Sequence, residues 1–314
     1  MKLTRTLSHG LLRFPCGNGS LVVGRDMQFM VPSNDIYHDS PSLRRRLDDD
    51  GYLYFRGMIP RVPLRQAVIA AEQNLRALGQ LPTTSQPQTP VTPEALATNE
   101  KTTMDVACGS KVMSVVHQIF GGPVKRYDYV SLDTSKQGEE HGFHMDSVFM
   151  GKGTKLFLSA WVPLTDITLK SGPLVLLLGS NNHSNTAALR SSYGQHDAYS
   201  GDVEGNGIYS FDPADVKGLG RGMVTTSFGG GDIVLFGGYT MHGYLTNTAN
   251  VGRFSVESKW CLSDDTVGPD PRYVGHEPPP MAENMRNRSP MTAREARRSI
   301  WNVGVSPESQ GEEK

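Results

Sequence analysis

The chain has 314 residues, 37% of them hydrophobic, and a formal net charge of -1. That length supports one large domain or two small ones, and a charge so near zero gives no global reason to expect nucleic acid or an anionic membrane surface as a partner. Cys16, Cys108 and Cys261 are far apart and odd in number, and no Cys-x-x-Cys occurs, so a reducing compartment is expected and a disulfide framework or structural zinc site is not.

The first residues, MKLTRTLSHGLLRF, lack the uninterrupted apolar core of a secretory signal, and no later stretch approaches the ~20 apolar residues that span a bilayer. A cytoplasmic location is expected. Lys2-Leu3 followed by His9-Gly10 is similar to a peroxisomal address, but an apolar residue belongs where Gly10 stands, so the peroxisome is the weaker alternative. Residues 1–40 form an N-terminal extension, with a short hairpin expected around Gly24-Arg25-Asp26. Ser40-Pro41-Ser42 opens a helix toward Asp50, with proline at an early helical position. A glycine-bounded strand follows at Gly51–Gly57, then a helix over Val62–Leu78 with apolar residues at helical spacing. Residues 80–95 read as an exposed loop and Lys111–Phe120 as another helix.

From Val124 onward the chain turns to short β-rich runs: 124–132, 155–162, 173–178, 223–228, 232–236 and 253–262. Strands in this rhythm after helices predict a mainly β domain with flanking helices, a two-sheet sandwich or jelly roll, over residues 41–268. Residues 184–222 are polar and long for a connection, and read as a lid loop. The remainder, 269–314, is a proline-rich tail with one helix at Thr292–Trp301.

Within the β region, His144-Met145-Asp146 is answered far downstream by His242 and then Arg253. Alternate side chains of an extended segment share a face, so His144 and Asp146 point one way and Met145 the other. With His242 from a second strand they make a 2-His-1-carboxylate facial triad, a set that suits Fe(II) and leaves positions open for substrate and O2. A His-x-Asp triplet alone is common; the histidine after an apolar strand and the arginine beyond it make the pattern specific. On Arg253-Phe254-Ser255-Val256, Arg253 and Ser255 share one face, and a guanidinium facing a sandwich interior needs an anion that its fork can grip. Tyr127, Tyr129 and Ser131 share another strand face and are candidates to meet the end of an anionic cosubstrate nearest the metal, each of them open also to a core or surface role. Phe149, Met150, Gly237, Gly238 and Met241 read equally well as a roomy apolar pocket or as plain core packing.

Taken in order, Gly51–Gly57, Phe143–Asp146, Ala160–Asp166, Ser171–Leu174, Gly179-Ser180, Gly231–Phe236 through His242, and Arg253–Ser255 resemble the phytanoyl-CoA dioxygenase-like family of Fe(II)/2-oxoglutarate oxygenases. The resemblance spans about residues 41–262. It departs from the family at Gly179-Ser180-Asn181-Asn182-His183, where the family carries Gly-Ser-His, and at Gly237–Met241. It implies a double-stranded β-helix and iron held by His144, Asp146 and His242. It further implies 2-oxoglutarate held at its far carboxylate by Arg253 and Ser255, O2 as oxidant, and ascorbate as the reductant used in vitro. The expected reaction is hydroxylation of an unactivated C–H of a lipophilic small molecule, in secondary-metabolite biosynthesis. An acyl-CoA hydroxylase and a non-catalytic binding sandwich stay open as alternatives. Asp146 stands where halogenases of the family carry a small residue, which disfavours halogenation. No nucleic acid and no membrane span are expected, and a homodimer is allowed but not required by the sequence.

Overall fold

A computed structural model of the chain describes residues 12–77, 97–98, 100–128, 130–139, 141–199 and 207–275. Its strands are β1 (Arg13–Cys16), β2 (Gly19–Val22), β3 (Met27–Phe29), β4 (Tyr52–Phe55), β5 (Ala97–Thr98), β6 (Val124–Arg126), β7 (Val130–Ser135), β8 (Phe157–Pro163), β9 (Leu174–Leu177), β10 (Met223–Thr225), β11 (Ile233–Gly237), β12 (His242–Tyr244) and β13 (Arg253–Leu262). The helices are α1 (Ser40–Asp50), α2 (Arg61–Ala77), α3 (Lys101–Ala107), α4 (Ser110–Phe120) and the short α5 (Ala187–Ser191).

A major sheet runs in the order β4-β11-β8-β13-β7-β5, with β6 added beside β13; a minor sheet runs β12-β9-β10-β3. The two-residue period sorts the major sheet's side chains cleanly. Leu53, Phe55, Leu158, Ala160, Val162, Ile233, Leu235, Phe254 and Val256 point outward and share one core with Leu43, Leu64, Ala67, Val112 and Val116 of α1, α2 and α4. Tyr52, Tyr54, Trp161, Val234 and Phe236 point inward and meet Leu174, Leu176, Val224 and Tyr244 of the minor sheet. The result is a two-sheet jelly roll of the double-stranded β-helix kind, with helices on one face.

Local chemistry fixes the element ends. Asp39 caps α1 by accepting from the Ser42 backbone N–H, and Gly51 closes it in the left-handed region that favours glycine. The expected hairpin about Gly24 is displaced. β2 pairs antiparallel with β1, while β3 leaves to join β10 in parallel, so Met27 sits opposite Met223. The apolar side of that segment is satisfied by a sheet edge, which a two-stranded ribbon could not offer. The lid segment also has more structure than a loop. Leu189, Tyr193, Tyr209 and Val216 are buried with Phe143, Met145 and Val148 in one cluster. The tail helix at 292–301 lies outside the described residues. Among those residues, the three cysteines form no disulfide, and no helix is long and apolar enough to cross a membrane.

Candidate metal centre

His144 and His242 face each other across a two-bond backbone ladder: His144 N–H donates to the His242 carbonyl at 2.9 Å, and His242 N–H returns to the His144 carbonyl at 3.0 Å. The pairing brings the two imidazoles to a centroid separation of 4.2 Å. β12 thus begins at His242, after a turn that carries the chain from β11 in the major sheet to the minor sheet. That turn is pinned twice. Met241 N–H donates to Ser180 Oγ, and Thr240 Oγ1 donates to the Gly51 carbonyl. Met145 is extended, so His144 and Asp146 share a side as the sequence predicts, but Asp146 already opens a 3-10 turn, Asp146–Val148.

Each imidazole is oriented by its own backbone. His144 Nδ1 lies 3.1 Å from the Gly142 carbonyl and His242 Nδ1 lies 2.9 Å from the Thr240 carbonyl. A carbonyl only accepts, so both Nδ1 atoms carry the proton and both Nε2 atoms present a lone pair. Those atoms stand 3.6 Å and 3.7 Å from Asp146 Oδ1. His144, Asp146 and His242 are the one group of three or more such side chains among the described residues that could hold a metal, with candidate ligand atoms all within 4.8 Å of one another. Burial, and then the neighbouring His144, push the His242 imidazole down to about 3, keeping it neutral and ready to ligate. Burial raises the Asp146 carboxyl, but the charges of Lys259 and His242 outweigh it and hold the group well below the usual range.

The other oxygen of Asp146 is fully engaged. Oδ2 accepts from Ser159 Oγ at 2.5 Å and from Lys259 Nζ at 2.6 Å. Lys259 also bonds Ser159 at 2.9 Å and the Glu257 carboxylate. Burial pushes that Glu257 carboxyl up to about 7. Neither Glu257, Lys259 nor Ser159 was singled out from the sequence. Yet Arg253, Ser255, Glu257 and Lys259 fall in one period-2 series, so carrying the alternation past Ser255 would have found two of them.

At the other end of β13, Arg253 is buried and points inward as expected, but it already has partners. Nη2 pairs with Asp133 at 2.8 Å, Nη1 donates to the Gly172 carbonyl at 3.1 Å, and the guanidinium lies 3.8 Å over the Tyr244 ring. The requirement for an anion is therefore met partly from within, by a carboxylate 120 positions away in the chain. Arg253 Nε and Ser255 Oγ, both buried, find no hydrogen-bond partner among the described residues; nor do Trp161 Nε1 and His141 Nε2. Such atoms are costly unless something polar meets them.

Three other expectations divide. Tyr129 lies outside the described residues, Ser131 is exposed, and Tyr127 packs in a separate cluster with Met150, Phe157 and Cys261. Of the pocket residues, Met241 and Met150 are core, and a Cβ on Gly238 would meet the Phe157 ring at 2.6 Å, while one on Gly237 would meet nothing nearer than 4.0 Å. Phe149 does approach the centre, edge-on to His144 at 5.4 Å. A surface cleft of ≈ 560 Å³ beside α1, lined by Arg45, Arg46, Asp49 and Arg221, contains none of these groups.

Among solved structures, the chain is similar to the carbocyclase SnoK of nogalamycin biosynthesis, described as non-heme and α-ketoglutarate dependent (15% identity, 80% of this chain and 91% of that one, TM-score 0.52). It is also similar to the epimerase SnoN in complex with Fe3+, α-ketoglutarate and nogalamycin RO (16%, 81% and 96%, 0.53), and to apo EctD from S. alaskensis (17%, 82% and 89%, 0.52). At such identities the likeness speaks for the fold. No curated protein matches the chain in sequence. The profile of the phytanoyl-CoA dioxygenase family, however, matches residues 47–255, which take in the His-x-Asp triplet, the distal histidine, Arg253 and Ser255. The chain belongs to the phytanoyl-CoA dioxygenase (PhyH) family, and with it to the non-heme iron, 2-oxoglutarate-dependent dioxygenases.

Proposed function

We propose that this enzyme oxidises, by hydroxylation, an unactivated C–H of a lipophilic small molecule, with His144, Asp146 and His242 as the iron ligands and Arg253 and Ser255 as the seat of the far carboxylate of 2-oxoglutarate. The observation that carries the reading is the convergence of two Nε2 lone pairs and one carboxylate oxygen, with each Nδ1 tied to a carbonyl. The donor set is that of a facial triad, and the unpartnered Arg253 Nε and Ser255 Oγ are what a second carboxylate would satisfy. Iron and 2-oxoglutarate, when bound, supply O2 activation coupled to decarboxylation of the cosubstrate to succinate.

The chain's own part is placement and exclusion of water. His144 is the most accessible of the three ligands, its side chain 17% exposed against 3% for His242, so the substrate approaches on the His144 side. Phe149 stands there, with Tyr199 next to it at 6.5 Å, an aromatic lining that favours an apolar ligand. Within 184–222, Tyr193 and Tyr209 anchor the segment to the core behind Met145, and the stretch about Asp197–Tyr199 is the part that selects substrate. The likeness to SnoK and SnoN supports a secondary metabolite as substrate; the family match supports an acyl-CoA as the second reading. The test is succinate formation with Fe(II), 2-oxoglutarate and ascorbate, screened by mass spectrometry over lipophilic small molecules and acyl-CoAs for a product heavier by one oxygen. Succinate formation that no member of either class stimulates rejects the substrate assignment.

A further inference from the structure

Lys259 is the buried cation that the triad reading leaves unused. It is 7% exposed and lies between two carboxylates on the inner face of β13 and its neighbour, Asp146 on one side and Glu257 on the other. Its bonds to Asp146 Oδ2 and Ser159 Oγ, with the Ser159–Asp146 bond, close a triangle around one oxygen and leave the other, Oδ1, toward both imidazoles. Because one ammonium bridges both carboxylates, these stand no more than about 6 Å apart, two hydrogen bonds end to end. Glu257 also lies near enough to His144 and Asp146 for their charges to act on it. A facial triad works because three protein ligands leave the remaining positions open. A free second carboxylate at this distance is a hazard to that arrangement.

We propose that Lys259 is a positioning residue of the metal centre, holding Asp146 to a single available oxygen and restraining Glu257 from becoming a fourth protein ligand. This rests on the metal reading above. An ion-paired lysine also explains why two acids are tolerated in one interior. Removing one partner of such a pair leaves the other uncompensated, and here the uncompensated group would be a metal-seeking carboxylate.

The test uses full-length protein loaded with Ni(II), a redox-inert probe, and calorimetric titration first of Ni(II) and then of 2-oxoglutarate. Wild type, Lys259→Met and the neutral pair Glu257→Gln/Lys259→Met are compared, with His144→Ala as control. Lys259→Met is expected to bind Ni(II) at least as tightly as wild type, with Glu257 added to the protein ligands, but 2-oxoglutarate at least about tenfold more weakly, because a position that it needs is then filled. The double variant is expected to recover most of that loss. A purely structural lysine would weaken Ni(II) and 2-oxoglutarate together with no rescue, and that result overturns the proposal, as does wild-type 2-oxoglutarate affinity in Lys259→Met. Should Lys259→Met not fold, Lys259→Gln is measured in its place, and unfolding of both overturns the proposal by making the pair architectural. If wild type takes no Ni(II), or His144→Ala takes it equally well, the metal reading itself falls, a different failure.

Discussion

The two ends of β13 solve the same problem with different results. At one end Lys259 meets Asp146 at 2.6 Å; at the other Arg253 meets Asp133 at 2.8 Å. Both cations are buried. Asp146, however, has a second oxygen turned toward two imidazoles, whereas Asp133 sits at the margin with its side chain 19% exposed. Where the carboxylate has two oxygens with different neighbours, the cation occupies one and leaves the other to the imidazoles. Where the carboxylate is marginal, the cation retains an unpartnered Nε, and under the proposed function it is the cation that takes a further anion. A buried ion pair is weak evidence of stability; its leftover valences say what it is for.

The comparison breaks most sharply at the triad. His144→Ala, Asp146→Ala and His242→Ala are each expected to abolish succinate formation and to lower iron content after loading; a fully active variant removes its residue from the ligand set. At the arginine end, Arg253→Ala is expected to keep iron but to weaken 2-oxoglutarate by about one to two decades, the equivalent of ~1.5–3 kcal/mol for a charge-assisted bidentate contact. Arg253→Lys should recover part of it, since an ammonium lacks the fork. Unchanged affinity would place the cosubstrate carboxylate elsewhere.

Asp133→Asn sharpens the contrast, because it should act with the opposite sign. Freed of a competing carboxylate, Arg253 should bind 2-oxoglutarate more tightly by about threefold to tenfold, the ~1 kcal/mol expected of a partly exposed pair. Weaker binding would make Asp133 a positioning group like Lys259. The smallest effect is expected at a third pair, outside β13. Burial raises the Asp270 carboxyl, but hydrogen bonds from the Arg272 side chain and from the backbone N–H groups of Arg272 and Lys152 hold it below the ordinary value. A depressed folded value contributes stability that is present above the unfolded value, about 4, and is lost as pH falls through the folded one. Asp270→Asn should lower the melting temperature at pH 7 and flatten its decline as pH falls below about 4. An unchanged acid limb would rule the pair out as a source of stability.

Much of this was legible in the residues. His144, Asp146 and His242 converge, and Arg253 faces inward, because strand alternation and chain order both point the same way. The outward set of Phe254 and Val256 and the inward set of Arg253 and Ser255 follow from period two alone. What the sequence could not disclose is which carboxylate meets which cation. Asp133 and Arg253 are 120 positions apart and become neighbours only through the register that sets Arg253 opposite Ser135 and Ser255 opposite Asp133. Gly238, Met150 and Met241, which read equally well as space or as packing, are packing, since Gly238 is small in order to admit the Phe157 ring, whereas a Cβ on Gly237 would meet nothing nearer than 4.0 Å. The pairing of β3 differs from the expected hairpin because its partner, β10, is supplied from the far side of the chain.

That last pairing has a consequence for how the protein is made. β3 occupies an edge of the minor sheet beside β10, and Met27 finds Met223 only after nearly two hundred intervening residues have been synthesised. At about 5–20 residues per second, the segment waits on the order of ten seconds or more beyond the ribosome with its apolar side unmatched. Closing the minor sheet is therefore a late, long-range event, and a stalled or truncated nascent chain that ends before β10 carries an exposed strand with no native edge to join.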